Sequence, residues 1–293
     1  MIFVEGLTKK YKSGKGVFDL DFDVKEGEVL GYLGPNGSGK TTTIRLLLGF
    51  LNGDEGSCTI NGLDCRTQAD EIQAFLGYMP GEISFLDDVT GIGFIQFMEN
   101  MKGFRDEKRR NALIERFELD PHGYIRKMSK GMKQKVGLVT AFMHDPSVLI
   151  LDEPTSGLDP LMQQRFIELI VEEKQRGKTI LISSHIFEEI ERTCDRAAII
   201  KDGRLAAVED IKTLKNLQRK KYKVSFSKQK DVDKVRKSGL SLGAINDKTV
   251  EIVAVDDYKK LFSVLAQCEV TGLEMDVQNL EQVFLKYYGQ GEG

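Results

Sequence analysis

The sequence has few cysteines and no long apolar run. Its four cysteines, Cys58, Cys65, Cys194 and Cys268, are scattered and form no C-x-x-C pair, so we expect reduced thiols and no cysteine-bound metal. No stretch reaches the roughly 18 apolar residues of a membrane-spanning helix. The beginning, MIFVEGLTKKY, lacks the charged and apolar regions of a secretory signal. These absences predict a cytosolic protein.

Charged residues are plentiful but unevenly distributed. The chain of 293 residues is 41% hydrophobic and 30% charged, with a net charge of −3, which is typical of a globular protein. Residues 212–237 hold eleven Lys and Arg against two Asp, a net charge of +9, so the rest of the chain carries −12. Such a segment can face anionic lipid or nucleic acid. It is more often a solvated helix face or a linker.

Strand and helix patterns alternate over the first 212 residues. The alternation of apolar residues and Asp in FDLDFDV (18–24) predicts a half-buried antiparallel strand. Dense apolar runs predict strands buried on both faces at 27–34, 147–154 and 178–184. Helical spacing occurs at 41–50, with a stop signal at Asn52-Gly53, and at 160–177. This order predicts an α/β domain with a mainly parallel sheet and antiparallel strands near the N-terminus.

The pattern changes after about residue 212. A strand is predicted at 222–226, a hairpin at 240–255 and a helix at 256–267, followed by a strand at 271–277 and a helix at 279–289. We therefore predict two domains, the first over 1–212 and a small accessory α+β domain over 213–293.

A phosphate-binding loop follows the predicted strand at 27–34. It consists of Gly34, Pro35, Asn36, Gly37, Ser38, Gly39, Lys40 and Thr41, followed by Thr42, and fits G-x-x-x-x-G-K-[ST] between a strand and a helix. Glycines let backbone N–H groups close around phosphate oxygens, and the helix directs its positive end at the same charge. Lys40 should reach the β- and γ-phosphates, and the Thr41 hydroxyl should ligate Mg²⁺. The loop predicts binding of a nucleoside triphosphate.

Two acids stand at the end of the predicted strand at 147–154. Asp152 is placed to hold the metal ion and its water shell. Glu153 points the other way and can orient or deprotonate the attacking water. The alternative, an exposed acidic turn, is less compatible with a phosphate loop in the same chain.

These motifs, in this order, resemble the ATPase subunit of an ATP-binding cassette (ABC) transporter over residues 1–212. GPNGSGKTT resembles the family's phosphate loop and LILDEP its acidic strand. SGLDP, which contains Asp159, resembles the loop that crosses to the opposite subunit. SSH, ending in His185, resembles the switch histidine, and Tyr11 lies where the family stacks an aromatic ring on adenine. The resemblance implies a P-loop NTPase fold with a helical signature subdomain, ATP and Mg²⁺ as cofactors, and Asp159 among the nucleotide-binding residues.

The run MSKGMKQKV resembles the family signature usually spelled L-S-G-G-Q. Ser129 and Gly131 match, whereas Lys130 replaces the first Gly and Met132 replaces Gln. The resemblance implies a head-to-tail dimer in which the signature of each subunit, Ser129 to Met132, covers the γ-phosphate bound by the other. His185 is implied to hydrogen-bond the same phosphate.

The sequence departs from the family at one more position. The family usually has Gln in the loop after a strand such as LGYM, but YMPGEISF places Gly81 there and Glu82 next. We hypothesise that Glu82 contacts the metal ion or its water. The alternative is a solvent-exposed Glu82.

The resemblance implies an Mg²⁺-dependent ATPase that powers a separate integral membrane permease. The expected cargo is a drug, antibiotic, peptide or lipid-like molecule, exported by a homodimer or heterodimer of ATPase subunits on the inner face of the cell membrane. No nucleic acid is expected as a partner. One alternative is a soluble ABC ATPase that acts on ribosomes or nucleic acid without a permease. Another is an ATP-binding regulator that does not hydrolyse ATP.

Overall fold

The computed structural model describes residues 1–85, 88–104, 106–216, 220–253 and 258–277. The chain divides into two compact units, Met1–Ile211 and Lys212–Gly293. Within the described ranges, no helix has both the length and the apolar character needed to cross a bilayer. The helix predicted at 279–289 and the first two residues of the helix predicted at 256–267 lie outside the described residues.

The first unit combines two sheets with helices. In chain order, its elements are β1 (Ile2–Lys10), β2 (Gly16–Val24), β3 (Val29–Leu33), α1 (Lys40–Leu47), β4 (Glu55–Ile60), β5 (Leu63–Asp64), α2 (Ala69–Phe75), β6 (Leu76–Met79), α3 (Gly91–Lys102), α4 (Glu107–Arg116), α5 (Lys130–Phe142), β7 (Val148–Asp152), α6 (Pro160–Gln175), β8 (Thr179–Ser184), α7 (Phe187–Thr193), β9 (Arg196–Lys201) and β10 (Arg204–Asp210).

The larger sheet is mainly parallel, as predicted. Its strand order is β10-β9-β3-β8-β7-β6, and only the β9–β10 pair is antiparallel among the described strands of this sheet. The apolar strands β3, β7 and β8 are buried along their whole length. Leu33 pairs with Ser184, and Asp152 pairs with Ser183, so these three strands end at one level. The phosphate loop, the two acids and His185 therefore follow neighbouring strand ends.

The second sheet is antiparallel and has the strand order β2-β1-β4-β5. Its apolar face shares one core with α1 and with the parallel sheet, including Val4, Leu20, Ile44, Ile150 and Leu181. Burial of each such side chain contributes about 1.5–3 kcal/mol relative to leaving it exposed. This packing fixes the helix that follows the phosphate loop against both sheets.

Helix α1 ends earlier than the sequence suggested. The expected end near Asn52 is wrong, because Gly49 takes the left-handed φ of 71° and its N–H bonds to Leu46 O. A Cβ at Gly49 would lie 2.5 Å from Cys65 O, so only glycine fits this stop.

Helices α3 and α4 both pack on α5, and the three form a helical cluster within the first unit. Each has a side-chain cap at its N-terminus: Thr90 for α3, Asp106 for α4 and Ser129 for α5. The signature run therefore begins a helix.

The second unit is a small α+β structure. Its elements are α8 (Ile211–Asn216, which starts at the unit boundary), β11 (Lys220–Phe226), α9 (Gln229–Arg236), β12 (Leu242–Asn246), β13 (Thr249–Val253), α10 (Tyr258–Leu265) and β14 (Val270–Val277), with the antiparallel strand order β12-β13-β11-β14. The predicted hairpin is present and turns at Asp247, where φ is 48°. Its core includes Val224, Val235, Ile252 and Leu261.

Part of the basic segment at 212–237 is paired within this unit. Lys221 lies 2.8 Å from Glu251, Lys228 lies 2.5 Å from Glu269, and Lys234 lies 2.9 Å from Asp231. These pairs account for three of the basic side chains. A solvated helix face or linker stays the prediction for the rest of this segment.

Candidate functional site

The phosphate loop connects β3 to α1 with two glycines that admit no side chain. Gly39 has a left-handed φ of 114°, and a Cβ there would lie 2.7 Å from Val17 Cγ1. A Cβ at Gly34 would lie 2.5 Å from Ile200 O. The loop can therefore bring its backbone N–H groups close to a ligand.

Lys40 lies at the start of α1 and is 6% exposed. Its Nζ donates to Gly34 O at 2.6 Å and to Pro35 O at 3.3 Å, and lies 3.2 Å from Glu153 Oε1. The ammonium group is thus held inside the loop, with one acidic neighbour.

Asp152 ends β7 with both oxygens engaged by hydroxyl groups. Thr41 Oγ1 donates to Oδ2 at 2.9 Å, and Ser183 Oγ donates to Oδ1. The carboxylate is 1% exposed. The structure therefore brings together two of the three residues predicted to contact a metal ion.

Glu153 and His185 form a close pair next to Lys40. Glu153 has a left-handed φ of 49°, and its N–H donates to Ser183 O at 3.0 Å. His185 Nδ1 and Glu153 Oε2 are 2.5 Å apart. A non-glycine residue in this conformation costs roughly 1–2 kcal/mol, which is compatible with a strained functional position.

Two cavities adjoin the loop. The first, of about 310 Å³, lies between Tyr11, Ser13 and Lys15 on one side and the phosphate loop from Asn36 to Thr42 on the other. Tyr11 is 37% exposed, and its side chain is accessible from this cavity. The structure therefore places the predicted adenine-stacking residue beside the phosphate loop.

The second cavity, also about 310 Å³, lies beside Thr41, Asp152 and Glu153. The other residues lining it are Asn36, Arg45, Tyr78, Pro80, Gly81, Glu82, Lys130, Ser156 and His185. Burial and the charge of Asp152 raise the pKa of Tyr78 to about 12, so its hydroxyl stays protonated at neutral pH. Glu82 thus shares a cavity with the predicted metal-binding pair.

Four other predicted residues, from the signature and from the SGLDP loop, line neither cavity: Ser129, Gly131, Met132 and Asp159. Ser129 Oγ accepts from Met132 N at 3.2 Å and caps α5, and Asp159 Oδ1 accepts from Met162 N at 3.0 Å and caps α6. A Cβ at Gly131 would lie 2.7 Å from Gly157 O. The start of α5 therefore packs against the loop that contains Gly157 in the same chain.

Lys130 differs from its signature neighbours because it reaches the second cavity. Its Nζ donates to Ser156 Oγ at 2.9 Å. The lysine that replaces the usual glycine thus links the signature helix to the loop after Glu153.

Sequence reasoning missed several polar residues around the acidic loop. Gln134 Nε2 donates to Glu153 O at 3.1 Å and to Pro154 O at 2.9 Å. Thr155 Oγ1 and Ser184 Oγ both donate to Glu189 Oε2. Gln134 lies inside the quoted run MSKGMKQKV, so its position next to the signature was the only available signal.

The loop has donors that fit a triphosphate and a hard cation. The hydroxyl of Ser38, within the phosphate loop, is buried and has no hydrogen-bond partner among the described residues. A free hydroxyl among backbone N–H groups and a lysine fits an anionic phosphate chain. The oxygens of Thr41 and Asp152, which lie close together, are of the ligand type that Mg²⁺ prefers.

The chain is similar to known proteins in sequence and in fold. The family model described as ABC transporter matches residues 17–156. The chain is 37% identical over 210 residues to the ABC transporter ATP-binding protein YdbJ of Bacillus subtilis, covering 71% of this chain and 68% of that protein. It is 30% identical to the linearmycin resistance ATP-binding protein LnrL of Bacillus subtilis, covering 99% of each.

Two further similarities extend this result. The chain is 33% identical to the bacitracin transport ATP-binding protein BcrA of Bacillus licheniformis, covering 97% of this chain and 96% of that protein. A solved structure described as the ATP-binding subunit of an ABC transporter has a TM-score of 0.67 and 30% identity, covering 74% of this chain and 92% of that chain.

Proposed function

This chain belongs to the ABC transporter ATP-binding family, and we propose that its ATP hydrolysis powers export of an antibiotic, peptide, drug or lipid-like molecule by a separate membrane permease. The observation that carries the ATPase part is the Glu153–His185 contact beside Lys40 and the phosphate loop. The similarity to LnrL and BcrA supports export, because it extends over 97–99% of the chain and so includes the second unit.

ATP binding is assigned to the first cavity. Tyr11 would stack on the adenine, and the loop from Gly34 to Thr42 would surround the phosphates. Lys40 would exchange its bonds to Gly34 O and Pro35 O for bonds to phosphate oxygens, since an ammonium has three donors and no fixed plane.

Hydrolysis is assigned to the residues around Glu153. Glu153 would orient and deprotonate the attacking water, and His185 would hydrogen-bond the γ-phosphate. Thr41 and Asp152 would hold Mg²⁺, with Glu82 as a further contact to the ion or its water. Bound Mg²⁺ supplies positive charge to the β- and γ-phosphate oxygens.

The signature would act on a second ATPase subunit. Ser129, Gly131, Met132 and Asp159 line neither cavity of their own chain, which agrees with a role at the partner's γ-phosphate. Two subunits, identical or different, would then enclose ATP between them. Hydrolysis would remove that bridge and open the dimer, and the permease would use this motion at the inner face of the membrane.

The first test compares phosphate release by the full chain and its Glu153→Gln variant. We expect the substitution to lower turnover by roughly 10²–10⁴-fold, because it removes the general base. It should leave ATP binding intact. Turnover that survives the substitution would contradict the role of Glu153.

A second test measures the mass of Glu153→Gln in solution with and without Mg-ATP. We expect a shift from monomer to dimer only with Mg-ATP, and none in the control Lys40→Ala/Glu153→Gln. A variant that binds ATP and stays monomeric would contradict a homodimer and require a different partner ATPase.

The link to a permease is tested by fractionating cells that produce the native protein. We expect the chain in the membrane fraction and a polytopic membrane protein co-purifying with it in detergent. A chain that instead sediments with ribosomes would favour the soluble alternative.

A further inference from the structure

Glu189 is a buried acid that the proposed mechanism does not use. It lies on α7 and is 3% exposed. Its Oε2 accepts from Ser184 Oγ at 2.7 Å and from Thr155 Oγ1 at 3.2 Å. Its Oε1 is buried and has no hydrogen-bond partner among the described residues. Burial of an acid is costly, so a side chain that served only to fill space here would be apolar.

The two hydroxyls belong to the loops that carry the proposed catalytic pair. Thr155 follows Glu153 by two residues, and Ser184 directly precedes His185. Ser184 Oγ also accepts from Ile186 N at 2.9 Å, so the same hydroxyl fixes the backbone on the other side of His185. The single oxygen Oε2 of Glu189 therefore connects the loop that carries Glu153 with the loop that carries His185.

We propose that Glu189 is a positioning residue for ATP hydrolysis, which holds the Glu153 and His185 loops together through Thr155 and Ser184. This inference rests on the proposed roles of Glu153 and His185. The pair depends on this support because Glu153 has a strained φ of 49° and the His185 side chain is 52% exposed. Loops that carry such a contact must be held by their own hydrogen bonds.

The surroundings of Glu189 are compatible with this role at neutral pH. Burial raises the pKa of Glu189 to about 7. The hydrogen bonds from Ser184 and Thr155 act to lower this pKa, and the charge of Glu153 acts to raise it. Cys194 also interacts with it, since the charge of Glu189 helps to raise the pKa of that thiol. A proton on Oε1 would leave Oε2 free to accept both bonds. The side-chain carbonyl of a glutamine should therefore be able to replace Oε2 as the acceptor of both hydrogen bonds.

The test uses the full chain with Glu189→Gln, Glu189→Ala and the control Glu188→Ala. Glu188 lies on the same helix, but its side chain is 80% exposed. We expect Glu189→Ala to lower kcat by roughly 10- to 100-fold, because misplaced catalytic groups cost about that much. ATP affinity and the number of ATP molecules bound should not change. Glu189→Gln should keep most of the turnover, and Glu188→Ala all of it.

A second readout needs no turnover. The chain has three histidines, so its imidazole ¹⁵N spectrum can be assigned completely. We expect the His185 Nδ1 signal of Glu189→Ala to move to its position in Glu153→Ala, where the contact is absent. The signal of Glu189→Gln should stay at the wild-type position. A wild type that hydrolyses no ATP would refute the proposed function, but this spectrum would still test the positioning role.

The proposal is overturned if Glu189→Ala leaves kcat and the His185 signal unchanged. It is also overturned if Glu189→Gln is as inactive as Glu189→Ala. Loss of the hydrogen-bond acceptor at this position would then not explain the loss of activity. If Glu189→Ala does not fold, Thr155→Val and Ser184→Ala each remove one of the two bonds. Both should shift the His185 signal and lower kcat, and unchanged values in both variants would overturn the proposal.

Discussion

The stability of the chain should depend on pH through Glu189. The pKa of this carboxyl is raised from 4.5 to about 7 by burial. A folded state with the higher pKa binds the proton more tightly than the unfolded state does. Glu189 therefore favours folding most below pH 4.5, and this contribution is lost as the pH rises through 7.

The magnitude follows from the two pKa values. Each tenfold difference in proton affinity is worth 1.36 kcal/mol, so the full effect is about 3 kcal/mol. About 2 kcal/mol of it should be lost between pH 5.5 and pH 8. Glu189→Gln cannot titrate, so the difference in unfolding free energy between wild type and this variant isolates the contribution of Glu189.

The assay is urea unfolding at pH 5.5, 6.5 and 8. The chain contains no tryptophan, so far-ultraviolet circular dichroism is the suitable signal. We expect the wild type to lose stability relative to Glu189→Gln as the pH rises, whereas Glu188→Gln shows no such trend. A difference that stays constant, or that grows in favour of wild type with pH, would refute a buried carboxyl with a raised pKa.

Three substitutions in the proposed ATP site have separate outcomes. Tyr11→Ala should raise the Kd for ATP about tenfold by equilibrium binding, whereas Tyr11→Phe keeps the affinity, because base–aromatic stacking is worth roughly 1–3 kcal/mol. Gly39→Ala should abolish ATP binding, since its Cβ would lie 2.7 Å from Val17 Cγ1 at a φ of 114°; retained binding would show that the loop can relax. Glu82 is exposed, and Glu82→Ala should raise the Mg²⁺ concentration needed for half-maximal turnover, whereas an unchanged Mg²⁺ titration would show that it does not contact the ion.

The sequence identified β3, β7 and β8 from their apolar runs but missed β9, a further run that is buried at four of its six residues. β3, β7 and β8 are apolar runs because both faces of the parallel sheet are covered. β1 was not identified, since register shifts on both sides of Leu7 and the left-handed Gly6 interrupt its alternation. β4 starts with exposed polar residues, and β5 has only two residues. Neither therefore shows an apolar pattern long enough to predict a strand.

The site was predictable where its chemistry fixes a local run of residues. The phosphate loop and the acidic strand end each lie within a few consecutive positions. Glu189 shows where this reasoning stops. In the run FEEIER, Glu188 and Glu189 look alike, yet one is 80% exposed and the other is 3% exposed. Only the contacts of Glu189, with partners up to 34 residues away, distinguish the two.

The strand register explains why these distant residues meet. Asp152 pairs with Ser183, which places the Ser183 hydroxyl on the carboxylate that Thr41 also contacts. A shift of β8 by one residue would turn Ser183 to the opposite face of the sheet. It would also move Ser184 and His185 away from Glu189 and Glu153. The hydrogen bonds behind the catalytic pair therefore depend on the same register as the proposed metal site, and a substitution that disturbs β8 should impair both together.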